Sequence, residues 1–273
     1  MARSGARRLG SWLIGGIVVL AVLIAGGTWL YIHVVEGPAP APLSLKSATS
    51  STPAATVSGG AGTGAAAVSA ADIAGTWTVA AGSEVGYRVN EVLAGQQNVA
   101  VGRTSVITGS LTIRGRQVTA ASFTVPMNTI MSDQASRDAQ FNGRIMQTAT
   151  YPKGTLSLTA PITLGALPAR GVVRTYRAIA DLTLHGQTRQ VAFGLQAEWT
   201  AAGISVSGSI PVAFADWGIS NPSFAGFVTT QDHGLLEFLL NFGKAGPAAR
   251  ASGREPARPH SANRYRPGCC QGS

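Results

Sequence analysis

Cysteine is nearly missing from this 273-residue chain: only Cys269 and Cys270 occur, side by side in a polar tail. They cannot staple a core to which they do not belong, so any folded domain is held by burial alone. Adjacent thiols in an oxidising compartment can join two chains into a homodimer or react with small thiols; the plainer reading is an incidental pair. Histidine is equally scarce, with His33 in an apolar run, His260 in the tail, and only His185 and His233 elsewhere. No H-x-x-x-H or C-x-x-C spacing occurs, and Asp232-His233 offers only two of the three ligands a zinc site wants. No metal and no catalytic residue is expected. A serine hydrolase would show a G-x-S-x-G elbow, and none is present. His185, between Leu182-Thr183-Leu184 and Gly186, reads as a strand-end or turn residue. The two-carboxylate arrangement of glycosidases stays open, because strand geometry sets that separation and nothing marks a particular pair.

A basic excess suited to nucleic acid is also lacking once the net charge of +9 is divided along the chain. Residues 1–71 carry +3, residues 72–243 carry +1, and residues 244–273 carry +5. The central part is close to neutral, without the net basic excess that a phosphate-binding face usually shows, and no nucleic-acid partner is expected. The excess sits at the ends, where it suits solubility or anionic lipid headgroups.

What is present begins with residues 12–35, an apolar run with no Asp, Glu, Lys or Arg. Roughly 20 apolar residues cross a hydrocarbon core, so the run is long enough to span. Arg3, Arg7 and Arg8 precede it and Glu36 follows. The positive-inside bias places residues 1–11 in the cytoplasm and the rest of the chain outside, as a single-pass protein of the cytoplasmic membrane. The rival reading is a cleaved secretory signal, but signal cores are usually about 7–15 residues. Trp29, Tyr31 and His33 also suit an aromatic interface belt better than a cleavage site.

Residues 36–71 are rich in Pro, Ala, Ser, Thr and Gly and read as a disordered linker. As a free coil the linker would span roughly 30–35 Å. Within it, Gly60-Ala61-Gly62-Thr63-Gly64-Ala65 lacks the flanking strand and helix of a dinucleotide loop. Residues 244–273 read as a disordered basic tail. Between lies one domain, residues 72–243, large enough for a sizeable core.

That domain alternates in period two, the mark of half-buried strands. Val85, Tyr87 and Val89 share one face, and Phe123, Val125 and Met127 another. Leu156 and Leu158, then Val191 through Trp199, Ile204 through Val212, and Leu236 through Phe242 continue the pattern. Only residues 131–149 break it, with a short helix predicted there. About eight sequential antiparallel strands must remove their edges, and closure into a barrel does so. The fold class is therefore all-β: an antiparallel barrel of about eight strands with a helical insertion, preceded by one transmembrane helix. Such a barrel is either filled by side chains or holds one small ligand.

Five stretches resemble the YceI-like family of exported polyisoprenoid-binding proteins. They are Trp77-Thr78-Val79 with Ser83 through Val89; Gly102 through Leu111; Met131-Ser132-Asp133 with Arg137-Asp138 and Tyr151-Pro152; Leu182-Thr183-Leu184-His185-Gly186-Gln187-Thr188; and Asp216-Trp217-Gly218-Ile219. The fourth is the most specific, and their order covers nearly all of the domain. The chain departs from the family where Thr104 and Ile107 replace aromatics and where Glu91 and Gln140 replace frequent histidines. These departures bear on ligand length and mouth chemistry more than on the fold.

The resemblance implies an extended, lipocalin-like barrel whose lumen holds a long isoprenoid, either a polyprenyl alcohol or a quinone-type tail. Lumen positions would be Val85, Tyr87, Val89, Phe123, Val125, Leu156, Leu158, Val191, Phe193, Ile210, Phe238 and Leu240. Asp133, Arg137, Asp138 and Tyr151 would form the mouth. The plainer reading of the first two is an i,i+4 ion pair, worth a few tenths of a kcal/mol. The expected function is reversible storage or transfer of the lipid at the extracytoplasmic membrane face, with no covalent chemistry and no cofactor other than a bound isoprenoid or quinone. Two alternatives stand beside it: a solid barrel serving as a cell-envelope interaction or stress module, and an enzyme acting on a cofactor held in the lumen.

Overall fold

The computed structural model describes residues 26–27, 39–45, 69–93, 95–223 and 228–245. The run expected to span a membrane lies outside them save Gly26 and Gly27, as does the tail beyond Ala245. Among the described residues no helix is long and apolar enough to cross a membrane.

A short helix, α1 (Ala70–Ile73), opens the domain. Ser69 and Asp72 cap it reciprocally, Ser69 N–H donating to Asp72 Oδ2 at 2.9 Å and Asp72 N–H to Ser69 Oγ at 3.2 Å. The Ser69 N–H, with the Ser69 hydroxyl donating to the same Oδ2 at 2.8 Å, holds the Asp72 carboxyl below its ordinary pKa. The strands follow as β1 (Gly75–Val79), β2 (Glu84–Leu93), β3 (Gln96–Thr104), β4 (Thr108–Arg114) and β5 (Gln117–Pro126). After β6 (Met131–Ser132), helix α2 (Ala135–Gln140) and a π-helical turn (Phe141–Ile145) occupy the segment where alternation fails. The remainder is β7 (Lys153–Leu158), β8 (Ile162–Thr163), β9 (Arg174–Leu184), β10 (Gln187–Trp199), β11 (Ile204–Ala213), β12 (Val228–Thr230) and β13 (His233–Lys244).

All pairings are antiparallel, in the order β1-β4-β5-β7-β9-β10-β11-β13, and β13 returns to β1 to close an eight-stranded barrel. β13 is long enough to pair twice: Phe242–Lys244 with β1, and Leu235–Leu239 with β2. Between β1 and β2 the chain bends at Gly82, whose φ of +80° suits glycine. Ser83 fastens the bend, its hydroxyl donating to Ala80 O at 2.7 Å and accepting from Asn241 N–H at 2.9 Å. β2, β3 and β6 then carry the wall onward past the closed ring.

β9 and β10 join through His185-Gly186, both at positive φ (47° and 74°), the two-residue turn whose twist matches paired strands. His185 Nδ1 lies 3.2 Å from Trp217 O, and its ring meets Tyr151 edge-on at 4.4 Å. The histidine is thus a turn residue.

Residues 39–45, inside the stretch expected to be a linker, are seated on the outer wall. Arg88 Nη2 donates to Pro40 O at 2.6 Å, Arg103 Nη2 donates to Ala41 O, and Leu45 is only 3 % exposed.

Candidate functional site

Alternation turns one face of each wall strand inward. The inward residues enclose a cavity of about 340 Å3, within the roughly 300–1,000 Å3 of small-molecule sites. It is apolar for most of its length. Of the positions predicted to face it, Val85, Tyr87, Val89, Phe123, Val125, Leu156, Leu158, Phe193, Ile210, Phe238 and Leu240 line it. Val191 does not: it pairs with Ala180 and packs, partly buried, against the same core.

Aromatic pairs mark successive levels. Tyr87 stacks on Phe141 with centroids 5.0 Å apart, and Phe193 meets Phe238 edge-on at 5.9 Å. Phe123 tilts against Phe242 at 5.8 Å, and Trp77 stands edge-on to Trp199 at 5.2 Å. Ala178 and Ala180 also line the cavity, and their small side chains keep its middle open.

At one end the lining turns polar. Arg137, from α2, lies with Nη2 3.5 Å from Oε1 of Glu91, which is 8 % exposed. Arg137 also pairs with Asp133, and Asn98 Nδ2 donates to Glu91 Oε1 at 2.9 Å. Two carboxylates thus share one guanidinium. Burial raises the pKa of the nearby Tyr87 phenol, with Arg137 pulling it the other way. The other two predicted mouth residues point elsewhere. Asp138 accepts from the backbone N–H and hydroxyl of Ser132, both at 2.7 Å, and so fastens β6 to α2. Tyr151 lies under the β9–β10 turn against Gly186 and His185.

The opposite end is closed by tryptophans. Trp77 Nε1 donates to Ile73 O at 2.8 Å, which plugs α1 into the opening. Lys244 and Arg170 lie over the rings of Trp77 and Trp199, at 5.7 and 5.9 Å. Trp199 lines the cavity, and its buried Nε1 has no hydrogen-bond partner among the described residues. Among the described residues no three of His, Cys, Asp or Glu group as a metal site, and His233 pairs with Asp232 on the exposed surface at 2.8 Å.

Fold and site together define a closed antiparallel barrel with a ligand-sized apolar lumen, polar at one end, the architecture that lipocalins share. The pattern of the YceI-like domain matches residues 77–242, and the chain belongs to that family. No curated protein matches it. Among solved structures, a polyisoprenoid binding domain from Saccharophagus degradans implicated in plant cell wall breakdown shares the fold: TM-score 0.51, 17 % identity, 63 % of this chain and 99 % of that one covered. BcnA of Burkholderia cenocepacia gives a TM-score of 0.47 at 18 % identity, covering 59 % and 98 %. A YceI protein of Campylobacter jejuni gives 0.41 at 9 %, covering 54 % and 85 %.

Proposed function

We propose that this chain is a membrane-tethered carrier that holds one long-chain isoprenoid lipid in its lumen, at the outer face of the cytoplasmic membrane, without chemical change. One observation carries the reading: an apolar cavity running from the Arg137–Glu91 pair to Trp199. Each CH2 buried there gains about 0.8 kcal/mol relative to water. The bilayer offers a lipid the same gain, so the net preference is small and exchange is reversible. Tethering through residues 12–35 keeps the barrel where the lipid is and raises its effective concentration. The polyisoprenoid-binding relative from S. degradans supports the ligand class.

The mouth also favours one kind of headgroup. Glu91, Asp133 and Arg137 sum to one negative charge. Such a trio repels a diphosphate and accommodates an uncharged hydroxyl or quinone carbonyl, which can bond to the guanidinium. Native mass spectrometry of the full chain, purified from membranes of a host that makes polyprenyl lipids, tests this. A one-to-one adduct that extracts as a polyprenol or quinone supports the carrier. A bare mass that takes up neither lipid afterwards leaves an interaction module, and an adduct that is converted during incubation identifies an enzyme.

A further inference from the structure

The outer wall carries an oddity. Glu237 faces outward from β13, yet it is only 4 % exposed. Arg88 Nε lies 2.7 Å from its Oε1, and Arg103 Nη2 lies 3.6 Å from its Oε2. The spare donors of both guanidiniums then reach out to the carbonyls of Pro40 and Ala41. Proline suits the role, because Pro40 and Pro42 have no N–H to offer a strand ladder, while the carbonyls of Pro40 and Ala41 accept from the arginines. A buried carboxylate thus aligns two arginines, and the arginines clamp residues 39–45 as a strap.

The place of the clamp decides which way the barrel points. Ala39 and Pro40 share a surface cleft that runs along β3 from Asn98 and Val99 to Val101 and Arg103, with residues 131–133 also lining it. Asn98 and Val99 lie near the tip of the β2–β3 hairpin, and Asp133 holds Arg137 at the lumen mouth. Pro40 is held by Arg88 and Ala41 by Arg103, which lies further from Glu91 along the hairpin, so the strap enters from the mouth side. From there it climbs past Arg88 toward Arg103, in the direction of α1 and the tryptophan end.

We infer that the strap holds the mouth of the barrel against the bilayer, so that lipid passes between membrane and lumen without crossing water. The inference rests on the membrane reading of residues 12–35. Four Cα steps separate Val35, the last residue of the apolar run, from Ala39. Fully extended they reach about 14 Å. A free linker over residues 36–71 would let the barrel tumble at any orientation, whereas a four-step link to the mouth end does not. The 13 residues of β10 span about 30 Å once strand tilt is allowed for. The tryptophan end consequently stands well away from the membrane surface.

The test uses the full chain in vesicles that contain lipids bearing a quencher at headgroup depth. Cys269 and Cys270 are replaced by Ser, and a fluorophore is attached either at Gln97→Cys, exposed at the hairpin tip, or at Val172→Cys, exposed at the far end. The probe at 97 should lose most of its emission and the probe at 172 little. Inserting a Gly/Ser stretch of about 20 residues after Glu36 leaves every clamp contact intact and should abolish the difference, because the tether then reaches any orientation. Equal quenching at both positions with the native spacing overturns the inference. So does stronger quenching at 172, or none at either. The bound lipid is read from the native mass of the same preparations. A lipid-loaded barrel with equal quenching sinks the orientation alone, and an oriented barrel that stays empty sinks the carrier reading alone.

Discussion

Arg137 and Glu91 meet across the end of the lumen, 46 residues apart in sequence and 3.5 Å apart in space. Neither belongs to the closed eight-stranded ring: Glu91 sits on the part of β2 that extends past it, and Arg137 on the α2 insertion. The polar end of the cavity is therefore built from additions to the barrel, and its chemistry can vary while the ring below stays the same.

Replacing Arg137 by Met leaves Glu91 nearly buried, bonded to Asn98 but without the guanidinium, and should cost roughly 1–3 kcal/mol of stability. The double variant Arg137→Met/Glu91→Leu removes both charges and should recover most of that loss. Lipid retention behaves differently, since the bond to the headgroup is gone from both variants. Denaturant unfolding and lipid off-rates, measured on the same proteins, separate the two effects. If retention recovers along with stability, Arg137 holds no headgroup.

Alkaline pH should weaken the fold through Tyr87. Burial raises its phenol above the ordinary 10.0, so the folded state keeps a proton that the unfolded state gives up. The stability this contributes is intact below about pH 10 and is lost as pH rises through the folded value. Tyr87→Phe has no proton to lose, so its unfolding free energy should fall less steeply above about pH 10. Tyr176, shifted upward by burial with Arg174 opposing, supplies part of the slope that remains. Identical slopes for the two proteins would remove Tyr87 from the account.

Period two was enough to find most of the lumen, because an inward face in a barrel is apolar at every second residue. The same rule reaches Glu91, which follows Val85, Tyr87 and Val89 on one face, and the family resemblance marks the same position as a departure in mouth chemistry. Ala178 and Ala180 gave no such signal, since a small side chain looks the same on either face. Asp138 adjoins Arg137 in sequence, but neighbours on a helix point about 100° apart, and it turns toward Ser132 instead. The family's Arg-Asp segment points to Tyr151 at the mouth, but its ring lies against Gly186, a partner fixed only by tertiary packing. Residues 39–45 have the composition of a linker, and two arginines remote in sequence seat them on the wall.

The β9–β10 turn should be intolerant at Gly186. A Cβ there would lie 2.6 Å from Cε1 of Tyr151, and the φ of +74° is unfavourable to any L side chain. Gly186→Ala should therefore lose roughly 2–3 kcal/mol, the backbone accounting for about 1–2 of it. In a Tyr151→Ala background the clash is absent and the same change should cost only the backbone share. Thermal unfolding of the four proteins measures this coupling, and equal costs in both backgrounds would show that the ring yields freely.

The middle of the lumen offers the sharpest test of what occupies it. Ala180 is 1 % exposed and lines the cavity between levels set by larger side chains. Ala180→Phe places a ring across the path while leaving the strand register and both ends untouched. Overpacking in a filled core costs roughly 1–3 kcal/mol, but here the added ring enters open volume, so the loss should lie at the low end. A chain that threads the barrel must then stop short of the block. Lipid extracted from the variant should shift to shorter isoprenoids, or be absent, while the melting temperature changes little. Unchanged lipid length with an unchanged fold would mean that the ligand does not thread the lumen, and binding would have to be sought at the mouth alone.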